Sequence, residues 1–217
     1  MSTAPASTDA RAERRAQFLA IARRRFVADG FAGTSVSRIV KDAGVAQGTF
    51  YLYFESKQAV LAELRREVFR SYASSLAAAA GGEGRADERL VDVVVAMARC
   101  VGQNLDLERV FRQAASAHDL ETAALEGRAR LALMAAELLD EGDALDAGGS
   151  EAPVVAELLV TLFDTVLYEA WAYRRPAAVE ATVRSSLRLV LRGLGAEGDR
   201  LASLLARVPD PIGKETE

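Results

Sequence analysis

Cysteine, proline and histidine are scarce in this sequence of 217 residues, and each shortage narrows the possibilities. The single cysteine, Cys100, excludes a disulfide bond within the chain and favours a reducing compartment. With only five prolines and no run of alternating β-branched residues, little in the chain interrupts helices or favours strands. Alanine, leucine, arginine and glutamate dominate, and all are good helix formers, so we predict an all-α fold.

Long apolar runs are absent as well. The longest stretches without a charged residue are 12 residues long, whereas a membrane-spanning helix needs about 20 apolar residues. The first ten residues, MSTAPASTDA, lack the apolar segment of a secretory signal peptide. We therefore expect a cytoplasmic protein that does not partner with a membrane.

The familiar catalytic and metal-binding patterns are missing too. His118 is the only histidine, and the sequence contains no GxSxG, HExxH or paired CxxC motif. The acidic segment 140–146 does not have the ligand spacing of a calcium loop. Paired carboxylates on helices are the one route to catalysis that the sequence leaves open. We predict that the chain is not an enzyme, binds no metal and needs no cofactor.

Charge is distributed unevenly, although the net charge is only −4. Residues 1–57 hold nine Lys or Arg and five Asp or Glu, so this end is positive. The rest of the chain holds 18 basic and 26 acidic side chains. A basic end on an acidic body is typical of an anion-binding head, although arginines on a solvated helix face would give the same count.

The first fifty residues show short helices joined by tight turns. Helical spacing continues to Asp29 and stops at Gly30, which is suited to the left-handed conformation that ends a helix. Thr34 is placed to cap the next helix, which carries one apolar stripe and ends at Gly44. A third short helix follows directly. This arrangement is a helix-turn-helix.

Four aromatic rings fall within five residues of that third helix, in a chain that is only 6% aromatic. Phe50 and Phe54 are four residues apart, so we predict that they point together into a small core. Tyr51 and Tyr53 carry hydroxyl groups that can reach phosphate oxygens. The alternative is that the whole stretch is simply a tightly packed helical corner.

Three small or polar residues, Gln47, Gly48 and Thr49, precede the rings at the helix N-terminus. In helix-turn-helix proteins this end enters the major groove. A Gln side chain can pair with an adenine edge, and a Thr methyl can contact a thymine methyl. Glycine at this point is explained if a side chain would collide with DNA.

The stretch from Thr34 to Lys57, TSVSRIVKDAGVAQGTFYLYFESK, resembles the DNA-binding domain of TetR-family transcriptional repressors. The whole motif covers some fifty residues, about a quarter of the chain. It places eight residues where family members contact DNA: Ser35, Ser37, Gln47, Gly48, Thr49, Tyr51, Tyr53 and Lys57. By the same resemblance, Lys57 at the start of the fourth helix pairs with a phosphate.

The remainder of the chain is predicted to be a helical body. We expect a DNA-binding domain at 9–56, a ligand-binding and dimerisation domain at 57–208, and disordered tails at 1–8 and 209–217. The resemblance implies that the last two long helices form a four-helix bundle with a second copy. The dimer-interface candidates are Leu158, Leu162, Val183, Leu187, Val190 and Leu194. A two-fold dimer also suits paired DNA half-sites.

The resemblance further implies a small molecule bound inside the body. An apolar lining with a few polar points suits a mostly hydrophobic ligand. The pocket candidates are Met97, Val101, Gln103, Phe111, Arg112, Met134, Phe163, Leu167, Tyr168 and Trp171. For any one of them, packing in the core is the alternative interpretation.

Together these features predict a repressor that binds palindromic operator DNA as a homodimer and is released by a small hydrophobic effector. The alternative is a DNA-binding regulator that senses no small molecule and uses its body only for dimerisation or for protein partners. Specific stabilisation of the protein by a metabolite distinguishes the two hypotheses.

Overall fold

A computed structural model describes residues 8–114, 118–141, 151–173, 176–210 and 212. These residues form helices and connecting turns with no strand among them, which confirms the all-α prediction. The helices are α1 Thr8–Gly33, α2 Val36–Ala43, α3 Gln47–Tyr51, α4 Lys57–Ala80, α5 Ala86–Gln103, α6 Leu105–Gln113, α7 His118–Asp140, α8 Ala152–Tyr173, α9 Pro176–Gly193 and α10 Gly198–Ala206. No helix in these ranges is both long and apolar enough to cross a bilayer.

The chain divides into two compact units. Unit 1 comprises the residues up to Glu67 together with Asp106–Ala124, and unit 2 comprises Val68–Leu105 and the residues from Leu125 onward. The predicted boundary after residue 56 coincides with the start of α4, whereas the division between units falls within α4. Unit 1 also takes in most of α6, because segments distant in sequence pack together there.

Aromatic rings build much of the core of unit 1. Phe18 and Phe50 are fully buried, and their ring centroids are 5.5 Å apart in an edge-to-face arrangement. Phe54 is also buried, with its ring centroid 5.8 Å from that of Phe50, so the predicted inward pair is confirmed. Burying one such ring contributes roughly 1.5–3 kcal/mol, a large share for a small unit.

The caps at the two ends of α2 set the geometry of the helix-turn-helix. α2 begins after Ser35, whose hydroxyl oxygen accepts a hydrogen bond from the backbone N–H of Arg38. Thr34 is not the cap that was predicted, because it is buried and its hydroxyl donates to the carbonyl of Gly30 at 2.9 Å. α2 ends at Gly44 with a φ of 66°, as predicted.

A buried ion pair joins α4 and α6 within unit 1. Arg65 Nη1 lies 2.6 Å from Glu108 Oε2, and the two side chains are 7% and 2% exposed. The guanidinium of Arg65 also lies over the ring of Phe111, 4.8 Å from its centroid. Desolvation offsets much of the attraction within such a pair, but either charge alone would be strongly unfavourable. The pair therefore fixes which faces of the two helices meet.

Unit 2 is a helical bundle in which α5 packs against α8, α9 and α10. Its core is largely aliphatic, with Leu167, Leu187 and Leu191 fully buried. Arg200 of α10 forms ion pairs with Asp87 and Glu88 in the first turn of α5. Burial alone would raise the pKa of Asp87, but the Arg200 guanidinium holds it below its ordinary value.

The chain stays packed beyond the short helix α10. Val208 and Ile212 are buried. The carbonyl of Val208 accepts a hydrogen bond from Arg184 at 2.6 Å, and that of Ile212 accepts one from Arg99 at 3.3 Å. Ile212 is thus packed although it falls within a predicted tail. Residues 1–7, 211 and 213–217 of the predicted tails lie outside the described residues.

Candidate functional site

α3 presents a short polar surface. Gln47 and Gly48 are exposed, and Thr49 is partly exposed. The hydroxyl of Ser37 on α2 donates to Oε1 of Gln47 at 3.4 Å. The structure therefore brings predicted DNA-binding residues of α2 and α3 together on one exposed surface.

Gly48 has no packing reason to be glycine. A Cβ added there would meet no heavy atom within 4 Å, and the residue does not have a positive φ. Glycine within a helix nevertheless costs roughly 1 kcal/mol relative to alanine. No contact within the described part of the chain explains why glycine stands here despite that cost. A partner that approaches the backbone closely would explain it.

The two tyrosines of this region differ in exposure. Tyr51 is 53% exposed. Tyr53 is only partly exposed, because its ring lies 5.6 Å from that of Phe18 and 5.9 Å from the guanidinium carbon of Arg11. Tyr51 therefore offers the more accessible hydroxyl, and the ring of Tyr53 also supports the core.

Lys57 is bonded to the protein's own backbone. Its ammonium donates to the carbonyls of Phe31 at 2.7 Å and Thr34 at 2.8 Å, and it lies 4.4 Å from the centroid of the Phe31 ring. Burial lowers the pKa of Lys57. Two of its three N–H donors are engaged, so one is left for a phosphate. Lys57 thus ties the start of α4 to the turn before α2.

Carboxylates neutralise several basic residues of unit 1. Arg25 donates through Nε and Nη2 to the carboxylate of Asp42 at 2.6 and 2.8 Å, which holds the pKa of Asp42 below its usual range. Arg38 pairs with Asp29 at 3.4 Å. The charge count from sequence therefore overstates how many cations are available to phosphates.

Unit 2 contains an apolar cavity between α4, α5, α7 and α8. Its volume is about 40 Å³, which is room for little more than a water molecule. The lining side chains are all apolar: Leu76, Ala80, Leu90, Val93, Val94, Met97, Leu131, Met134, Ala135, Leu138, Leu159, Val160 and Phe163. A larger ligand requires these side chains to move apart, and the two methionines are the most adaptable of them.

Three predicted pocket residues, Met97, Met134 and Phe163, line this cavity. The other seven lie outside its lining: Val101, Gln103, Phe111, Arg112, Leu167, Tyr168 and Trp171. Of these, Phe111 and Arg112 belong to unit 1. Leu76 and Ala80 were missed, and their four-residue spacing on α4 is the signal that could have revealed them.

Trp171 is used for packing between α8 and α5. Its indole N–H donates to the carbonyl of Ala98 at 2.8 Å. A Cβ at Gly102 would lie 2.7 Å from the indole ring, so glycine is what permits this close approach.

The predicted dimer residues differ in burial. Val183, Leu187 and Leu194 are buried inside the protomer. Leu162 and Val190 are partly exposed, and Leu158 is exposed. Val154 and Leu189, which were not among the candidates, are 62% and 71% exposed. The exposed apolar surface of α8 and α9 is therefore only partly the predicted one.

Residues 18–64 match the family model described as bacterial regulatory proteins, tetR family. The matched segment contains α2, α3 and the aromatic core around Phe18 and Phe50. This segment is therefore similar to the tetR family of bacterial regulatory proteins. The relatives that it matches are transcriptional regulators rather than enzymes, in agreement with the prediction that it is not an enzyme.

Two curated relatives come from Bacillus subtilis. The uncharacterized HTH-type transcriptional regulator YdgC is 50% identical over 52 residues, which are 24% of this chain and 27% of that protein. The fatty acid metabolism regulator protein is 35% identical over 66 residues, which are 30% of this chain and 34% of that protein. The chain thus matches about a third or less of the length of these relatives.

Solved structures resemble this chain over most of its length. The fatty acid degradation regulator FadR from Bacillus halodurans has a TM-score of 0.67 at 22% identity, over 91% of this chain and 100% of its own. FadR from Bacillus subtilis, in complex with stearoyl-CoA, has a TM-score of 0.66 at 21% identity, over 82% of this chain and 98% of its own. A TetR-family regulator from Syntrophomonas wolfei has a TM-score of 0.70 at 22% identity, over 86% of this chain and 99% of its own. These likenesses confirm the predicted fold, a helix-turn-helix domain followed by a helical body.

Proposed function

We propose that this protein is a TetR-type transcriptional repressor that binds a palindromic operator as a homodimer and is released by a small, mostly hydrophobic ligand. The observation that carries the proposal is the exposed polar surface of α3 within the segment that matches the family model. Gln47 and Thr49 suit base edges, and the Tyr51 hydroxyl suits a phosphate. Gly48 lets the backbone of α3 approach the DNA closely.

Selection of genomic DNA fragments with the purified protein, at a stated near-physiological salt concentration, tests the proposal. We expect enrichment of a two-fold-symmetric sequence whose half-sites lie about 34–36 Å apart or a multiple of that distance. Affinity should fall steeply as salt rises, because phosphate contacts release counterions. A folded, dimeric protein that enriches no sequence would contradict the proposal.

Gln47→Ala is expected to change base preference at one position of each half-site, by about 1–3 kcal/mol of discrimination. Stability should stay within about 0.5 kcal/mol, because the side chain is exposed. The measurement is the affinity for a set of single-base operator variants. Gln17→Ala, an exposed glutamine on α1, is the matched control. An unaltered preference in the Gln47 variant would show that this side chain does not read bases.

The homodimer is proposed to form through α8 and α9. Val154, Leu158 and Leu189 are large apolar side chains that are more than half exposed in the single chain, and a second copy would remove them from water. The partly exposed Leu162 and Val190 would extend this surface. The buried Val183, Leu187 and Leu194 would support it from within the protomer.

The ligand is proposed to carry a long acyl chain. The support is the wholly apolar lining of the cavity, together with the structural likeness to the FadR that was solved with stearoyl-CoA. Since the cavity measures only about 40 Å³, such a ligand would bind a widened form of the body and shift the protein toward it. α4 lines the cavity and continues into unit 1, so its movement would reach the DNA-binding unit along one helix.

The small cavity also favours the second candidate, a DNA-binding regulator that senses no small molecule. Thermal unfolding with stearoyl-CoA, and with coenzyme A alone as the control, distinguishes the two. A ligand at 100 times its Kd stabilises the folded state by about 2.7 kcal/mol. Stabilisation by stearoyl-CoA together with release from the operator supports the ligand-responsive repressor. Operator binding that no acyl compound alters supports the second candidate.

A further inference from the structure

A second and larger recess in unit 2, here called the polar groove, uses other faces of α4 and α5. Ser75 and Ala79 of α4 line the groove, whereas the adjacent Leu76 and Ala80 line the apolar cavity. The groove measures about 480 Å³, within the roughly 300–1,000 Å³ of ligand pockets. The charged residues of its lining are Asp92, Arg99 and Arg207, and Val95 is one of the apolar ones.

Arg99 is one of the two basic residues that line this groove. Its Nε–H donates to the carbonyl of Ile212 at 3.3 Å, which holds the guanidinium plane in place. Among the described residues no carboxylate pairs with Arg99, and the Ile212 contact uses only the Nε edge. The terminal edge carries the Nη1 and Nη2 donors, whose spacing matches the two oxygens of a carboxylate or a phosphate.

The second cation of the groove is already neutralised. Arg207 donates to the carboxylate of Asp92 through Nε at 3.3 Å and through Nη2 at 2.5 Å. The charged side chains of the lining, Arg99, Arg207 and Asp92, therefore leave one net positive charge at Arg99. Apolar surface from Ala79 and Val95 lies in the same lining, so a bound molecule would meet one cation beside apolar walls.

We propose that the polar groove binds a small amphipathic anion, a carboxylate or phosphate carried on a compact apolar body. The anionic end pairs with the Nη1 and Nη2 donors of Arg99, and the apolar body lies against α4 and α5. This site is separate from the apolar cavity and does not depend on the proposed DNA-binding function, so its test needs no DNA.

Isothermal titration of the full chain with benzoate, phenyl phosphate and the neutral benzyl alcohol tests the groove. We expect saturable binding of at least one anion and none of the alcohol, and the two anions separate carboxylate from phosphate recognition. Arg99→Gln should weaken binding about tenfold or more, because the charge-assisted pair is lost. Arg130→Gln, an exposed arginine of α7 outside the groove, should leave it unchanged.

Asp92→Asn gives a test in the opposite direction. It removes the negative charge of the groove and releases Arg207, so anion binding should tighten by about two- to fivefold at low salt. If Arg99 had only a structural role, Asp92→Asn would not tighten anion binding. The Asp92→Asn variant also remains informative if Arg99→Gln fails to fold. The proposal is overturned if neither anion binds the wild-type chain, if Arg99→Gln binds as tightly as wild type, or if Asp92→Asn does not tighten binding.

Discussion

Glu108→Ala is expected to destabilise unit 1 by about 3–5 kcal/mol. The change leaves the guanidinium of Arg65, whose side chain is 7% exposed, without the carboxylate that lies 2.6 Å away. A buried charge that loses a counterion at this distance loses attraction that offsets its cost of desolvation. The ring of Phe111, 4.8 Å from the guanidinium, offsets only a small part of that cost.

Urea unfolding of the variant measures this loss, and the same helix provides a matched control. Asp106 of α6 pairs with Arg109 at 3.3 Å, but the two side chains are 68% and 45% exposed. Asp106→Ala should therefore cost less than about 1 kcal/mol. Equal losses for the two variants would show that burial of the Arg65–Glu108 pair does not matter.

The double variant Arg65→Met with Glu108→Leu tests the explanation further. It removes both charges and fills similar volumes with apolar groups, so its stability should lie within about 1–2 kcal/mol of wild type or above it. A double variant as unstable as Glu108→Ala would mean that the pair itself is strongly favourable, contrary to the desolvation argument.

The helix-turn-helix could be predicted in detail because its determinants are local. The stop at Gly44 and the four-residue spacing of Phe50 and Phe54 are readable from adjacent residues, and all three have the predicted roles. Gly30 interrupts the helical geometry with a φ of 72°, but α1 continues past it to Gly33. The error at the start of α2 was one residue, since Thr34 and Ser35 are both suitable caps. Only the backbone path decides which hydroxyl faces the helix.

Contacts between distant segments could not be predicted in the same way. The ammonium of Lys57 donates to the carbonyls of Phe31 and Thr34, which the sequence did not predict, and its pairing with a phosphate through the third N–H stays a prediction. The Arg65–Glu108 pair joins residues 43 positions apart, and nothing in either local sequence marks the partner. Such pairings depend on the tertiary fold, which periodicity does not encode.

Which residues of α8 and α9 are buried could not be predicted from the sequence either. Both helices carry apolar residues on more than one face, so the sequence does not tell which face meets the chain's own core. Leu158 is 65% exposed, whereas Val183 and Leu187 are fully buried, although all three were predicted to lie at one interface. The cavity lining was equally hard to separate from ordinary core, since both consist of apolar side chains.

Phe50→Ala and Tyr51→Phe, at adjacent positions of α3, are expected to separate stability from DNA binding. Phe50 is fully buried among the rings of Phe18 and Phe54, so its truncation should lower the free energy of unfolding of unit 1 by about 3–5 kcal/mol. Tyr51 is 53% exposed, so loss of its hydroxyl should change stability by less than about 0.5 kcal/mol.

Operator affinity measured at two temperatures separates the two effects. Phe50→Ala should bind poorly when warm, because much of unit 1 is unfolded, and should recover on cooling to the temperature at which the unit is most stable. Tyr51→Phe should bind about tenfold more weakly at both temperatures and to every operator sequence, because a hydrogen bond to a charged phosphate is lost. If Tyr51→Phe binds like wild type, its hydroxyl does not contact the DNA backbone. If Phe50→Ala stays equally weak when cold and folded, the aromatic core positions α3 on the DNA as well as stabilising it.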